Sequence, residues 1–243
     1  MEDIIYGLNP VLSALQGKRR PTRVFISETL KNHDVEKICR ENGIPFLFKT
    51  RREMDRLTGG ANNQGVLCFV PAFQYLTLKE LIGKTSAGAE TLLLVLDGVE
   101  DPVNFGSLLR TACCFGADGI IIGKDRQVGM TPTVIKLSTG ASEHIDICQV
   151  SNIAQTVSEL KKNGFWIVAA DGSGDRLFNE IDYGGKIAII IGSEGRGVSR
   201  LVLERSDFVA RIPLTGPITS LNAAVAGAIF LSAAASDRLK RSK

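Results

Sequence analysis

The chain is 243 residues long, 44% hydrophobic and 23% charged, with a formal net charge of +3. That composition excludes a disordered or fibrous protein, and the length suits one large domain or a small one plus a medium one. The charge is unevenly spread: residues 1–60 hold 11 Lys and Arg against 8 Asp and Glu, whereas residues 61–243 hold 18 of each. An excess confined to the N-terminal quarter is a mild polyanion signal.

In chain order, Asn9 can cap a first helix with Pro10 just inside it, and Val11, Leu12 and Leu15 follow at helical spacing up to Gly17. Val24–Ile26 reads as a strand, 34–41 as a helix ending at Asn42-Gly43, 46–48 as a strand, 51–57 as a helix and 65–70 as a strand. This alternation predicts a small α/β unit with a mostly parallel sheet over residues 1–72. Residues 73–90 read as a linker, with a short helix possible over 76–82.

The remainder, 91–243, reads as a second α/β unit. Strands are predicted at 91–96, 119–122, 165–169, 186–191 and 207–212, and helices at 107–114, 150–162, 201–205 and 220–238. The five cysteines form no C-x-x-C pair and only two histidines, His33 and His144, are present. No metal site or disulfide framework is expected, and reduced thiols fit a cytoplasmic protein. Cys113-Cys114 read as small buried hydrophobes, and the two histidines as surface or packing residues. The N-terminus lacks a secretory pattern, and no apolar run is long enough to span a membrane.

Three loops follow strand ends, where open α/β sheets bind ligands. The first, Asp97–Gly106, leads into a helix that Asn104 could cap and that carries Arg110. The second, Gly192–Gly197, has three glycines in six residues, which suits either a tight turn or a ligand loop. It fits neither the P-loop nor the dinucleotide spacing. The third runs from Ile212 to Asn222, with Ser220 a candidate cap for the last helix.

DGVEDPVNFGSLLRTA (97–112), IIIGSEGRGV (189–198) and RIPLTGPITSLNAAVAGAI (211–229) resemble, in order and spacing, the three motifs of the SpoU-type RNA 2′-O-ribose methyltransferases of the SPOUT superfamily. Tyr6–Val11 and Asn63–Val66 resemble the substrate-binding extension of the branch that methylates a guanosine of 23S ribosomal RNA, itself similar to a small ribosomal-protein-like fold. The resemblance implies a C-terminal trefoil knot, a homodimer and S-adenosylmethionine as cofactor. It implies catalytic roles for Asn104, Arg110, Glu194, Ser220 and Asn222, and cofactor contacts from Gly192, Ile212 and Leu221. The basic N-terminal unit would then dock RNA through phosphate contacts from Lys18, Arg19, Arg20, Arg51 and Arg52. A tRNA substrate, another ribosomal site, or an RNA-binding assembly factor without catalysis are the competing expectations.

Overall fold

In the computed structural model, residues 2–30, 33–85 and 90–241 are described. They form two compact units, and neither is a continuous stretch of chain. The first comprises residues 1–74 and 130–144, the second residues 75–129 and 145–243.

The first unit holds β1 (Glu2–Tyr6), α1 (Leu8–Gln16), β2 (Arg23–Ser27), α2 (Asp34–Glu41), β3 (Phe46–Lys49), α3 (Arg51–Leu57) and β4 (Val66–Pro71). Its sheet runs β1-β4-β2-β3. Only β2 and β3 are parallel; β4 enters between β1 and β2 and is antiparallel to both. The expectation of a mostly parallel sheet is therefore corrected, because β1 was not recognised and β4 returns against it. Alternate residues of β2, Val24 and Ile26, turn into a core shared with Ile5, Val11, Val35, Val66 and Cys68.

Helix α1 begins at Leu8, so Asn9 lies inside it and caps nothing. Its first free amide, Leu8 N–H, instead donates to Gln64 Oε1 at 2.9 Å. Helix α3 starts with Glu53 Oε2 accepting from Thr50 N–H at 2.9 Å. Lys49, first, and Thr50 together hold the Glu53 carboxyl down at about 2.

Residues 130–144, which the sequence assigns to the second part, complete the first unit. Helix α6 (Pro132–Leu137) sends Ile135 into its core, and the following turn buries Glu143. Arg19 reaches that carboxylate with two donors, Nε to Oε2 at 3.1 Å and Nη2 to Oε1 at 2.6 Å. Its Nη1 donates to Asp3 Oδ2 at 2.7 Å and to the Pro71 carbonyl at 3.2 Å. A guanidinium so committed has one N–H donor left for the phosphate contact expected of it.

The second unit is built on a seven-stranded, wholly parallel sheet. Its elements are α4 (Leu78–Thr85), β5 (Thr91–Asp97), α5 (Pro102–Cys114), β6 (Gly119–Gly123), β7 (Asp146–Val150), α7 (Ile153–Lys162), β8 (Trp166–Ala170), β9 (Arg176–Leu177), β10 (Lys186–Gly192), α8 (Arg200–Arg205), β11 (Phe208–Arg211) and α9 (Ala223–Arg241). The order is β7-β6-β5-β10-β8-β11-β9. Strands β5, β6 and β10 are buried on both faces, as their unbroken apolar runs require. Part of the expected linker belongs here, since α4 buries Leu81 in this unit's core and Leu76 bridges to Cys148.

Helix α9 packs closely on α5. A Cβ on Gly227 would stand 2.3 Å from Leu108 Cδ2, so glycine is what lets the two helices approach. Cys114 is exposed and Cys113 half-buried, against the expectation that both are buried. They lie in the last turn of α5, where the helix emerges towards Gly116. His33 and His144 are exposed. No helix among the described residues is long and apolar enough to cross a membrane.

Candidate functional site

The three loops singled out in the sequence converge at the carboxyl edge of the second unit's sheet. Strands β5 and β10 are parallel neighbours, with Asp97 level with Gly192, so the loops that follow them leave side by side. Asp101, not Asn104, caps α5: its carboxylate accepts from Val103 N–H at 3.3 Å and Asn104 N–H at 3.1 Å, with Pro102 opening the helix. The Asp-Pro pair was the signal that could have shown this. Asn104 is thereby released from capping, and its side chain is buried.

Asn104 Nδ2 donates to Glu194 Oε1 at 2.9 Å. Asn222 Nδ2 donates to the same oxygen at 2.6 Å and to Asn104 Oδ1 at 2.7 Å. One residue from each loop thus closes a triangle of two amides and one carboxylate, and the bonds to Glu194 are charge-assisted. The other end of Asn222 is also committed. Its Oδ1 accepts from Ala224 N–H at 2.9 Å and Val225 N–H at 3.2 Å, capping α9. Ser220 does not cap, because the helix starts at Ala223, two residues later than the capping pattern requires.

The glycine loop is a closed turn. Ser193 N–H donates to Gly197 O at 3.1 Å, and Gly197 N–H donates back to Ser193 O at 3.0 Å. Gly192 faces this turn so tightly that a Cβ would stand 2.1 Å from the carbonyl carbon of Gly197. The loop and the 212–222 segment enclose a cleft of about 640 Å³ lined by Gly192, Ile212, Ser220 and Leu221, and by the unforeseen Asp171 and Thr219. That is within the usual range for a small-molecule site. Asn222 borders this cleft and also a second groove, about 950 Å³, that runs between α5 and α9 past Asn104, Val103 and Val225.

Arg110 is not part of the triangle. It lies on an exposed face of α5, about two-thirds of a turn round the helix from Asn104, and has no hydrogen-bond or ion-pair partner among the described residues. In the first unit Lys18, Arg20, Arg51 and Arg52 are exposed. Arg20 donates to the Asn42 carbonyl, and Arg51 approaches Asp55 at 4.0 Å. Among the described residues no cluster of His, Cys, Asp or Glu is arranged to hold a metal ion.

Residues 91–232 match the SpoU rRNA Methylase family, and residues 4–76 match the RNA 2′-O ribose methyltransferase substrate binding family. The chain is 39% identical over 233 residues to YacO of Bacillus subtilis, named for the TrmH family of tRNA/rRNA methyltransferases; the match covers 94% of this chain and 93% of that protein. A Staphylococcus saprophyticus protein named for the same family is 37% identical over 95% of this chain and 94% of its own. Among solved structures, the SpoU methyltransferase AviRb from Streptomyces viridochromogenes, in complex with AdoMet, has a TM-score of 0.82 at 20% identity, covering 98% of this chain and 91% of that one. An AdoMet-bound rRNA methyltransferase from Sinorhizobium meliloti has a TM-score of 0.80 at 24% identity, over 96% and 86%. These two likenesses establish the α/β fold.

Proposed function

The chain belongs to the SpoU rRNA methylase family, and from that premise we propose that it methylates the ribose 2′-OH of a guanosine in 23S ribosomal RNA. In broader terms it is an S-adenosylmethionine-dependent RNA methyltransferase of the SpoU/TrmH family. The observation that supports transfer to a ribose hydroxyl is the Asn104–Glu194–Asn222 triangle, two of whose members line the 640 Å³ cleft; the match of residues 4–76 supports RNA as the carrier of that hydroxyl.

The cleft suits the cofactor. Gly172, Gly192, Gly195 and Gly197 line it with bare main chain, and Leu221, Ile212 and Phe230 offer apolar surface. Main-chain donors and acceptors on apolar walls are what an adenine and a methionyl chain need. The bound sulfonium supplies a methyl group already activated for transfer. The protein's task is to orient the hydroxyl and accept its proton.

Glu194 Oε1 is occupied by the two amides, while Oε2 accepts no hydrogen bond among the described residues and is free to receive one from the ribose. Asn104 and Asn222 hold that carboxylate in place. Ser220, exposed on the cleft wall, adds a hydroxyl beside them. Arg110 is suited to the phosphate next to the reacting ribose, which lowers the proton affinity of the hydroxyl. A guanidinium carries no lone pair free to take up a proton, so an electrostatic role is the easier one.

The first unit is the RNA-docking part of this proposal, through Lys18, Arg20, Arg51 and Arg52; the match of residues 4–76 to the substrate-binding family supports it. The proposal also includes a trefoil knot around the cleft, a cytoplasmic place of action and a homodimer. The dimer is supported by the apolar α5–α9 groove, where Val103 and Val225 are 53% and 47% exposed. A tRNA substrate is the second reading, supported by the tRNA/rRNA wording of the relatives' names.

The test is to incubate the protein with labelled S-adenosylmethionine and either unmodified 23S rRNA or bulk tRNA transcripts, then to map protection from alkaline hydrolysis. One protected guanosine in 23S rRNA is expected. Protection in tRNA alone keeps the chemistry and transfers the substrate to the second reading. No label in either overturns methyl transfer to these RNAs.

A further inference from the structure

A fourth loop reaches the same sheet edge. Strand β6 lies beside β5, and the loop after it, residues 124–129, is buttoned onto the first site loop. Gln127 Oε1 accepts from Val99 N–H at 2.9 Å, and Val128 N–H donates to Val99 O at 3.2 Å. In the middle of this loop Arg126 has φ +52. Its carbonyl oxygen lies 3.6 Å from where a Cβ on Gly98 would stand, and Ser193 Cβ, on the glycine loop, lies at the same distance. The backbone of Arg126 therefore packs against the first site loop at Gly98, which itself faces Ser193 of the glycine loop.

A left-handed conformation costs a residue with a side chain of the order of 1 kcal/mol or more, and Gly or Asn would relieve it. An arginine occupies the position instead. Its side chain is exposed and has no hydrogen-bond or ion-pair partner among the described residues, unlike Arg196 nearby, which pairs with Glu100 at 3.4 Å. Lys124, two residues earlier, is exposed as well. Strain concentrated at the rim of a site, under a cation with nothing to bind, calls for an anionic ligand.

We infer that Arg126 is a phosphate-binding residue for the RNA substrate: its guanidinium takes two oxygens of a backbone phosphodiester as the strand enters the site, with Lys124 as a second cation. The planar fork suits phosphate, and the pinned turn removes most of the ordering cost. This rests on the RNA methyltransferase reading and adds a contact on the second unit, separate from those of the first.

The experiment is retention of 23S rRNA and bulk tRNA transcripts on filters between 50 and 200 mM salt, comparing the wild-type protein with Arg126→Gly, Arg126→Asn and Arg126→Lys. Gly and Asn tolerate positive φ, so both variants should melt no lower than wild type. Both should bind RNA about 3–10-fold more weakly, with the log–log salt slope reduced by about 0.7–0.9, the value of one phosphate contact. Arg126→Lys should keep the slope, and S-adenosylhomocysteine affinity should be unchanged in all three. Wild-type RNA affinity and slope in Arg126→Gly and Arg126→Asn would overturn the inference. Because the readout is binding, a wild-type protein that retains RNA but transfers no methyl would sink the functional reading and leave this one testable.

Discussion

Arg19 and Glu143 are 124 residues apart in sequence and meet through two hydrogen bonds, with the carboxylate side chain only 1% exposed. Burial works against the guanidinium charge, yet the bonds to Glu143 and Asp3 hold its pKa above the ordinary value. Removing one partner of such a pair leaves a buried charge uncompensated. Glu143→Ala should lower unfolding stability by about 3 kcal/mol, measured by urea or thermal denaturation. A loss below about 0.5 kcal/mol would show the pair to be inert.

Asn222 serves two masters, so its substitutions should separate them. Asn222→Ala loses the α9 cap and the link to Glu194, costing about 1 kcal/mol of stability as well as activity. Asn222→Asp keeps a capping oxygen but sets a second carboxylate against Glu194. We expect near wild-type Tm with kcat/KM down about a hundredfold or more, since a positioned acid–base group contributes on that scale. Equal activity in Asn222→Asp and wild type would remove the triangle from the mechanism.

Arg110→Ala tests the cation outside the triangle. Methyl transfer should vanish while cofactor affinity, measured calorimetrically with S-adenosylhomocysteine, stays within about threefold, because Arg110 does not line the cleft. A fully active variant would leave the proposed role of Arg110 without support.

Gly192→Ala should do the opposite. The new Cβ would meet backbone, not a flexible side chain, 2.1 Å away, so the closed turn of the glycine loop must open. S-adenosylhomocysteine binding should fall at least tenfold in calorimetry; unchanged binding would show that the turn is not part of the cofactor wall.

The thiols give a pH prediction. Burial pushes Cys39 and Cys148 up to about 11, whereas Cys114 is exposed. Brief alkylation at pH 8, read by mass spectrometry, should label Cys114 first and spare Cys39 and Cys148. The raised folded-state values also carry stability that is complete below pH 9, the ordinary thiol value, and is lost as pH rises towards 11, because the unfolded chain ionises first. Early labelling of Cys39 would show the first unit to be loosely packed.

What was legible in the sequence depended on locality. The site loops could be found because strands buried on both faces read as unbroken apolar runs and glycines mark the turn at Gly192–Gly197. Strand β7, with Asp146 and Gln149, lacks such a run and was missed. The capping residues were misassigned by two or three positions, since Asn and Ser resemble caps wherever they stand near a helix start. The pairing of Arg19 with Glu143 was not legible, because its basic neighbours are adjacent in sequence and Glu143 is 124 residues away.

The two family matches lie end to end along the sequence, at residues 4–76 and 91–232, and suggest modules that recombination could exchange at a single crossover. The chain returning through residues 130–144 forbids that. A graft taken at residue 72 would carry off a core without Ile135 and an Arg19 without its counter-ion, and would strand both partners in the recipient. Moving the first unit intact therefore requires residues 130–144 to travel with residues 1–74, through further crossovers on either side of that segment.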